Sequence, residues 1–560
     1  MDDVDAVQAQ IARNMLQSGD WVIARLDGVP YLEKSPLIYW LMAVSFRILS
    51  VHDWAARVPV ALSAILLAWL TWRYGRWALG NRAGFYAGLS VATCVGLFLF
   101  TRIQIPDVML TASVCLAFWS FQGALDEEEP RPRLWAALFP ASLGIGLLLK
   151  GLIAVVAPCG GVIVYLLATR QLFTREVWRR LHPVTGVLII LAIAAPWHVL
   201  ATLRMPPYFA LTMHSGPGQY HGFFWFYFIN EHVLRFLNLR YPRDYNTVPR
   251  LAFWLLHLLW LFPWSAFFPA AFGLNFKPSD RAGRTRLLAL CWTGFLLVFF
   301  TFSTTQEYYS MPVYPALALL LGSAITTGSR WLGIGTRTLG VVSALALSAI
   351  ATILWIVRSV PTPGDISQAL QQHPEAYTLS LGHLGDLTIS SFAYLRVPLV
   401  VAGIAFLIGA LGAWLVPLRH KVLAFALMMI VFFHASRLAL VTFDPYLSSK
   451  PLADALQHAP EGRLIINGEY YSFSSVFFYT GRTALLLNGR VNNLEYGSYS
   501  PGSPDVFLGD EQFVTLWSKP ECSYILSNHE DVSHLVALVS ESKLHKMAES
   551  GGKFLFTNQP

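Results

Sequence analysis

The chain has 560 residues, of which 55% are hydrophobic and only 13% are charged, a balance that excludes an ordinary soluble domain. Its five cysteines are scattered without a CxxC pair, so they suggest neither a zinc site nor a disulfide framework. The formal net charge of +7 lies mostly in short loops. It therefore indicates orientation in a membrane and not binding to nucleic acid.

Continuous apolar runs of bilayer length recur along the chain and predict a mainly α, polytopic membrane protein. Every second loop between these runs is short and basic, which predicts that those loops are cytoplasmic. The acids near residue 1, the 204–250 loop and the 301–308 turn would then share the outer face. The twelve predicted spans are 57–77, 82–100, 106–124, 133–149, 152–168, 184–203, 251–273, 285–303, 308–327, 335–357, 396–417 and 421–441.

The last part of the chain differs in pattern. Short β-like runs such as RLIING and KFLFTN alternate with helix-like runs such as PLADALQHA. This alternation predicts a small α/β outer domain over 444–560, following a transmembrane domain over 1–443.

Polar side chains collect at the ends of the predicted spans on the outer face. Taken singly, Asp3, Asp5 or Asp107 would cap a helix, and Lys34 or Lys150 would extend to water. Their convergence on one face indicates a site instead. The set comprises Asp3, Asp5, Glu33, Lys34, Asp107, Lys150, Glu231, His232, Arg235, Tyr308 and Tyr309.

Two classes of function fit this pattern. An enzyme that acts on a lipid-borne anion needs cations for a phosphate, a carboxylate base and an apolar groove for the lipid chain. A transporter or flippase of a lipid-linked anion predicts ionisable groups near the membrane midplane and paired broken helices. The midplanes of the predicted spans are nearly free of charge, and no inverted repeat is evident, so the pattern favours the enzyme.

The segment RNMLQSGDWVIARLDGVPYLEKSPLIYW (13–40) resembles the first outer loop of bacterial GT-C lipid-linked-sugar glycosyltransferases. These are the aminoarabinose lipid A transferases within the protein-O-mannosyltransferase-like superfamily. RVPVAL, an acid before a span (Asp107), KG (150–151), EHVLRF and QEYYSMPVYPAL follow in the same order, so that the resemblance covers roughly 1–330.

The resemblance implies transfer of a hexose or pentose from a polyprenyl-phosphate donor to lipid A, a glycan or a protein. The reaction would take place at the outer face of the inner membrane. The resemblance also implies a span ahead of the opening acids, so we expect the first span of the family to be missing from this chain. Counting that span, the total would be one more than the twelve predicted here.

The resemblance implies a catalytic acid in the first outer loop. The family's position falls on Val4 of this sequence, which leaves Asp3 and Asp5 as alternative bases. Chemically, such a transfer needs a base that takes the proton of the acceptor hydroxyl and positive charge that stabilises the departing phosphate.

We expect Lys34 and Arg235 to hold the phosphate, because both side chains donate charge-assisted hydrogen bonds. Lys150, Tyr308 and Tyr309 are expected beside the phosphate and its lipid, and Asp107 is a further candidate. Glu33 and His232 are candidate ligands of a divalent ion, although two ligands alone do not make a metal site.

Overall fold

A computed structural model describes residues 1–243, 247–303, 306–371 and 382–560. The predicted 204–250 loop and 301–308 turn therefore lie partly outside the described residues. The described chain is a mainly helical membrane protein that ends in an α/β unit, which confirms the predicted fold class.

The first elements are α1 (Asp3–Ser18), β1 (Arg25–Leu26), β2 (Val29–Pro30) and α2 (Leu37–Leu49). Asp2 caps α1, since its carboxylate accepts a hydrogen bond from the Val4 amide at 2.8 Å. The interpretation of Asp3 or Asp5 as the cap is therefore wrong. The strands β1 and β2 form an antiparallel hairpin whose turn residues, Asp27 and Gly28, both have positive φ. An Asp-Gly pair suits such a turn.

The membrane part is built from the next helices. Two stretches of 3₁₀-helix, Trp264–Phe267 and Glu307–Val313, lie directly before the helices that begin at Phe268 and Tyr314. The elements in chain order are α3 (Asp53–Leu79), α4 (Asn81–Ala92), α5 (Val95–Phe100), α6 (Asp107–Leu125), α7 (Pro132–Lys150), α8 (Ile153–Ala168), α9 (Arg175–Leu181), α10 (Pro183–Arg204), α11 (Gly222–Phe224), a π-helix (Trp225–Leu234), α12 (Arg250–Trp260), α13 (Phe268–Ala271), α14 (Arg281–Thr301), α15 (Tyr314–Thr327), α16 (Arg330–Ile356), α17 (Arg396–Leu415) and α18 (Leu418–Leu447).

Nine helices of the described chain are long and apolar enough to cross a membrane, and Arg250–Trp260 with Trp264–Ala271, bent by 94°, is a tenth candidate. The protein is therefore a multi-pass integral membrane protein. Nine of the twelve predicted spans coincide with the nine helices to within a few residues at most ends.

The other three predicted spans differ from the structure. The run 82–100 is broken at Thr93 and Cys94 into α4 and α5. The run 152–168 forms the shorter helix α8, and the run 251–273 bends next to Pro263, which cannot donate a backbone hydrogen bond. The three runs are uniformly apolar, so their sequences do not show these breaks. Hydropathy indicates which residues avoid water and not where the backbone bends.

Loops that the charge pattern assigned to one side meet at one end of the helices. There Arg281 pairs with Asp126 and Glu128, each at 2.9 Å, and Arg180 donates to the Leu125 carbonyl. The opposite end gathers the segment after β2, the start of α6, the end of α7 and the start of α15. This second end holds the polar residues singled out above.

The last part of the chain forms a six-stranded sheet with helices. Its strands lie in the order β5 (Phe507–Leu508), β4 (Leu485–Leu487), β3 (Arg463–Asn467), β6 (Ser523–Asn528), β8 (Lys553–Thr557) and β7 (His545–Ser550). The strands from β5 to β6 are parallel, whereas β8 and β7 run antiparallel to their neighbours. Because α18 continues to Leu447, the domain boundary between 443 and 444 stays a prediction. The elements are α19 (Lys450–His458), β3 (Arg463–Asn467), α20 (Ser474–Thr480), β4 (Leu485–Leu487), α21 (Asn492–Ser498), β5 (Phe507–Leu508), α22 (Asp510–Trp517), β6 (Ser523–Asn528), α23 (Val532–Val539), β7 (His545–Ser550) and β8 (Lys553–Thr557).

Candidate functional site

A cavity of about 440 Å³ lies at the second end of the helices. It brings together eight of the ten residues for which the sequence predicted a role, and it leaves out Asp3 and Asp5. Its polar side chains are Glu33, Lys34, Asp107, Lys150, Glu231, His232, Arg235, Tyr308 and Tyr309. Its apolar walls include Leu110, Leu149, Leu152, Ile153, Val156, Val233, Phe236, Leu237, Phe299 and Phe300.

Asp107 and Lys150 form an ion pair in this cavity, with Lys150 Nζ 2.5 Å from Asp107 Oδ1. The ammonium also lies 5.0 Å from the ring centre of Tyr308 and 4.6 Å from that of Tyr309. Asp107 Oδ2 is buried and has no hydrogen-bond partner within the described residues. Asp107 is the first residue of α6 and not its cap, and its side chain makes no capping bond, so that interpretation is wrong. Lys150 likewise points into the cavity and not out to water.

A second cluster surrounds Glu33. Its carboxylate pairs with Lys34 and lies 3.6 Å from Arg240 and 4.0 Å from Arg235. It also accepts a hydrogen bond of 3.1 Å from the Tyr31 hydroxyl. Burial alone would raise the pKa of Glu33, but the three neighbouring cations outweigh burial and lower the pKa to about 2.

Glu231 completes this cluster, since it pairs with Arg235 at 2.8 Å and with the Nε of Arg240. The π-helix places Glu231 and His232 toward the cavity just before Arg235. Stretches of π-helix are often found at functional sites.

Gly151 explains the KG pair of the sequence. It has a φ of +70°, and a Cβ at this position would lie 2.2 Å from Nε2 of His232. The close approach lets the Leu152 amide donate to His232 Nε2 at 3.1 Å. The backbone after Lys150 thus holds the histidine in place.

The two candidate metal ligands do not fit a divalent ion. His232 Nδ1 lies 2.5 Å from the Tyr227 carbonyl, and Nε2 accepts from Leu152, so both ring nitrogens are occupied. Burial lowers the pKa of His232, which agrees with a neutral ring. Both oxygens of Glu33 are held by cations and Tyr31. Across the described ranges, no group of three or more His, Cys, Asp or Glu side chains is placed to hold a metal.

The two predicted bases lie elsewhere. The Asp3 carboxylate accepts from the Ser475 amide at 2.8 Å and pairs with Lys553 at 2.6 Å. The Asp5 carboxylate pairs with Arg57 at 2.6 Å and accepts from the Gln104 amide at 2.8 Å. Burial raises the pKa of Asp5, although Arg57 opposes the shift. Both acids thus tie α1 to neighbouring elements.

Sequence reasoning missed Arg240, whose side chain is fully buried between Glu33 and Glu231. Arg240 stands in the run FLNLRYPR, where no spacing or motif marks it. Only the fold reveals its role.

The chain is similar to known glycosyltransferases. Residues 33–199 match the family model described as dolichyl-phosphate-mannose-protein mannosyltransferase. The undecaprenyl phosphate-alpha-4-amino-4-deoxy-L-arabinose arabinosyl transferase of Aeromonas salmonicida is 29% identical over 325 residues, which are 56% of this chain and 54% of the relative. The corresponding transferase of Erwinia tasmaniensis is 24% identical over 522 residues, which are 90% of this chain and 84% of the relative. The chain spans about half the length of the first of these relatives in the aligned region.

The fold is also similar to crystal structures. ArnT from Cupriavidus metallidurans bound to undecaprenyl phosphate superposes with a TM-score of 0.81 at 22% identity, covering 99% of this chain and 93% of that one. Its apo state gives a TM-score of 0.78. These likenesses show that the chain has the ArnT fold.

Proposed function

We propose that this chain, a member of the superfamily of GT-C lipid-linked-sugar glycosyltransferases, moves a hexose or pentose from a polyprenyl-phosphate donor to an envelope acceptor. The observation that carries the proposal is the 440 Å³ cavity, because it joins a cluster of cations to apolar walls. A phosphate attached to a lipid chain needs cations for its charge and apolar walls for the chain.

The charges of the cavity favour an anion. Three cations, Lys34, Lys150 and Arg235, line the cavity with three carboxylates, Glu33, Asp107 and Glu231, and Arg240 is buried against Glu33 and Glu231. When Arg240 is counted with them, these groups carry one positive charge in excess, which matches the single negative charge of a phosphate diester. Arg235 suits this role because its guanidinium can hold two phosphate oxygens, while Lys34 acts as a point charge.

The apolar walls lie next to these charges. Phe236, Phe299 and Phe300 offer rings against which a polyprenyl chain can pack, and Val156 and Leu152 extend the same surface. The relatives are named for an undecaprenyl phosphate aminoarabinose donor. We assign the same class of donor to this chain, with lipid A, a glycan or a protein as the acceptor.

The transfer needs a base and a stabilised leaving group. Among the carboxylates of the cavity, Asp107 has an oxygen without a partner, so we assign it the proton of the acceptor hydroxyl. The acceptor oxygen then forms a bond to the anomeric carbon as the bond from that carbon to the phosphate oxygen breaks. Lys34 and Arg235 hold the negative charge that develops on the phosphate.

The earlier candidates for the base, Asp3 and Asp5, are less suited to that role because other residues occupy their carboxylates. Both stay predictions, which the turnover of Asp3→Asn and of Asp5→Asn, each measured per folded molecule, would test.

We assign the chain to the inner membrane, with the cavity and the α/β unit on the outer side. The basic loops at the other end support this orientation under the positive-inside rule. A reporter fused after residue 445 should be active outside the cell, and one within 170–182 should be cytoplasmic. The reverse pattern would contradict the assignment.

The function is tested by mass spectrometry of lipid and glycan fractions from cells with and without the gene. A sugar that is lost from one fraction on deletion and restored by the chain identifies the acceptor. If no fraction changes, while proteoliposomes with the purified chain carry a polyprenyl-phosphate sugar across the bilayer, the protein is the alternative flippase.

A further inference from the structure

One face of α18 is exposed along most of its length. Leu423, Leu427, Ile430, His434, Arg437 and Val441 follow at steps of three or four residues and are all exposed. Such spacing places them on one side of the helix. In a helix that spans a membrane, this stripe faces lipid, so an arginine within it is unexpected.

Arg437 lies beside a second arginine. The Arg102 guanidinium lies 4.4 Å from the centre of the Phe98 ring, and this ring stacks on Phe433 of α18 at 4.3 Å. Phe433 is one helical turn before Arg437. The contact therefore brings α5, and with it the Arg102 side chain that lies over Phe98, next to the part of α18 that carries Arg437.

A third arginine approaches from α3. Arg57 donates to the Arg102 carbonyl at 2.6 Å and pairs with Asp5 at the same distance. Burial lowers the pKa of Arg102, and the positive charges of Arg57 and Arg437 lower it further. Three guanidinium groups are thus close enough to repel one another.

These charges are only partly neutralised. Asp5 forms an ion pair with Arg57. In the part of the chain that the structure describes, the guanidinium groups of Arg102 and Arg437 form no ion pair or hydrogen bond. Other acids lie in the region: Asp53 accepts from Tyr479, and Asp444 lies two turns further along α18. Two positive charges therefore remain for an external anion.

Two exposed tryptophans indicate that the three arginines lie near the level of the membrane surface. Exposed Trp54 stands at the start of α3, and exposed Trp355 stands at the end of α16, both at the end of the helices that holds the cavity. Tryptophan is enriched where lipid headgroups meet the hydrocarbon. Phosphates of membrane lipids lie at this depth.

We infer that Arg102 and Arg437 bind the phosphate of an anionic phospholipid, whose acyl chains lie along the exposed stripe of α18. Basic groups between membrane helices bind such headgroups by charge-assisted hydrogen bonds. None of these residues lines the cavity, so the site is separate from the proposed active site.

The test is native mass spectrometry of the purified full chain in detergent, titrated with phosphatidylglycerol and, separately, with zwitterionic phosphatidylcholine. We expect phosphatidylglycerol to bind about tenfold more tightly or better. The double variant Arg102→Gln/Arg437→Gln should lose this preference, while Arg437→Lys should keep part of it.

The matched control is Arg358→Gln, which removes an exposed arginine that also lies over a ring, 3.7 Å from the centre of Trp355. It should leave the preference unchanged. Retention of polyprenyl-phosphate binding shows that the double variant is folded; if it is not, the exposed single variant Arg437→Gln takes its place. A folded variant that still prefers phosphatidylglycerol would overturn the inference. Displacement of the lipid by millimolar inorganic phosphate would overturn the assignment to a lipid.

Discussion

The two carboxylate oxygens of Asp107 differ in their surroundings. Lys150 Nζ lies 2.5 Å from Oδ1, whereas Oδ2 is buried and has no hydrogen-bond partner among the described residues. The lysine therefore orients the carboxylate and leaves one oxygen for a substrate. A buried polar atom without a partner is costly, so such an arrangement calls for a functional explanation.

Asp107→Asn should lower turnover by about 100-fold or more, because asparagine keeps the size of the side chain but cannot take a proton. Donor binding should persist, since the cations of the cavity are unchanged. Turnover and binding of polyprenyl phosphate are measured on the same preparation. Asp454→Asn, which alters an exposed pair on α19, is the control and should be neutral. Normal turnover of Asp107→Asn would remove Asp107 from the role of base.

Lys34→Ala and Arg235→Ala should each weaken polyprenyl-phosphate binding by roughly ten- to a hundredfold, the loss of one charge-assisted contact. Lys34→Arg and Arg235→Lys should restore only part of the affinity, because the two cations differ in shape. Binding is measured by titration in detergent. Lys546→Ala removes an exposed cation of β7 and should have no effect. Unchanged affinity in both alanine variants would contradict the proposed phosphate site.

Asp3→Asn should destabilise the protein by about 3 kcal/mol, because it leaves the ammonium of Lys553, whose side chain is only 15% exposed, without its counter-ion. Lys553→Gln should have a similar effect, and the double variant should lose less than the sum of the two. Thermal unfolding measures each change, and turnover is then compared per folded molecule. If Asp3→Asn keeps full stability but loses turnover, Asp3 is the base as the sequence predicted.

Asp27, in the turn of the β1–β2 hairpin, should make the stability of the protein depend on pH. Burial raises the pKa of Asp27 from 3.8 to about 7, and its Oδ2 has no partner in the described structure. Because the pKa of Asp27 is higher in the folded state, the stability that Asp27 contributes is fully present below pH 3.8 and is lost as pH rises through about 7. Asp27→Asn should therefore raise the unfolding temperature more at pH 8 than at pH 5. An equal effect at both values would contradict a buried, protonated Asp27.

Long apolar runs made most spans predictable, since nothing else in a sequence shares their length and composition. The site was predictable in part for a related reason. Glu33, Asp107, Lys150 and His232 interrupt such runs or border them, where charge is costly.

The rest depended on tertiary structure. Arg240 pairs with Glu33 across about 200 residues of chain, and no local pattern reports a contact of that kind. Asp3 and Asp5 of α1 were predicted as candidate bases because the sequence does not show which residues they pair with. Their clustering indicated a reactive group, whereas their partners, Arg57 and Lys553, lie far away in the sequence.

The pair between Asp3 and Lys553 spans 550 residues, which affects how the protein is made. Strand β8 leaves the ribosome long after α1, and at ordinary rates of synthesis the delay is roughly half a minute to two minutes. During that time Asp3 has no counter-ion to be buried with. We therefore expect α1 to dock last, as a late step of assembly that closes the protein around helices already in the bilayer.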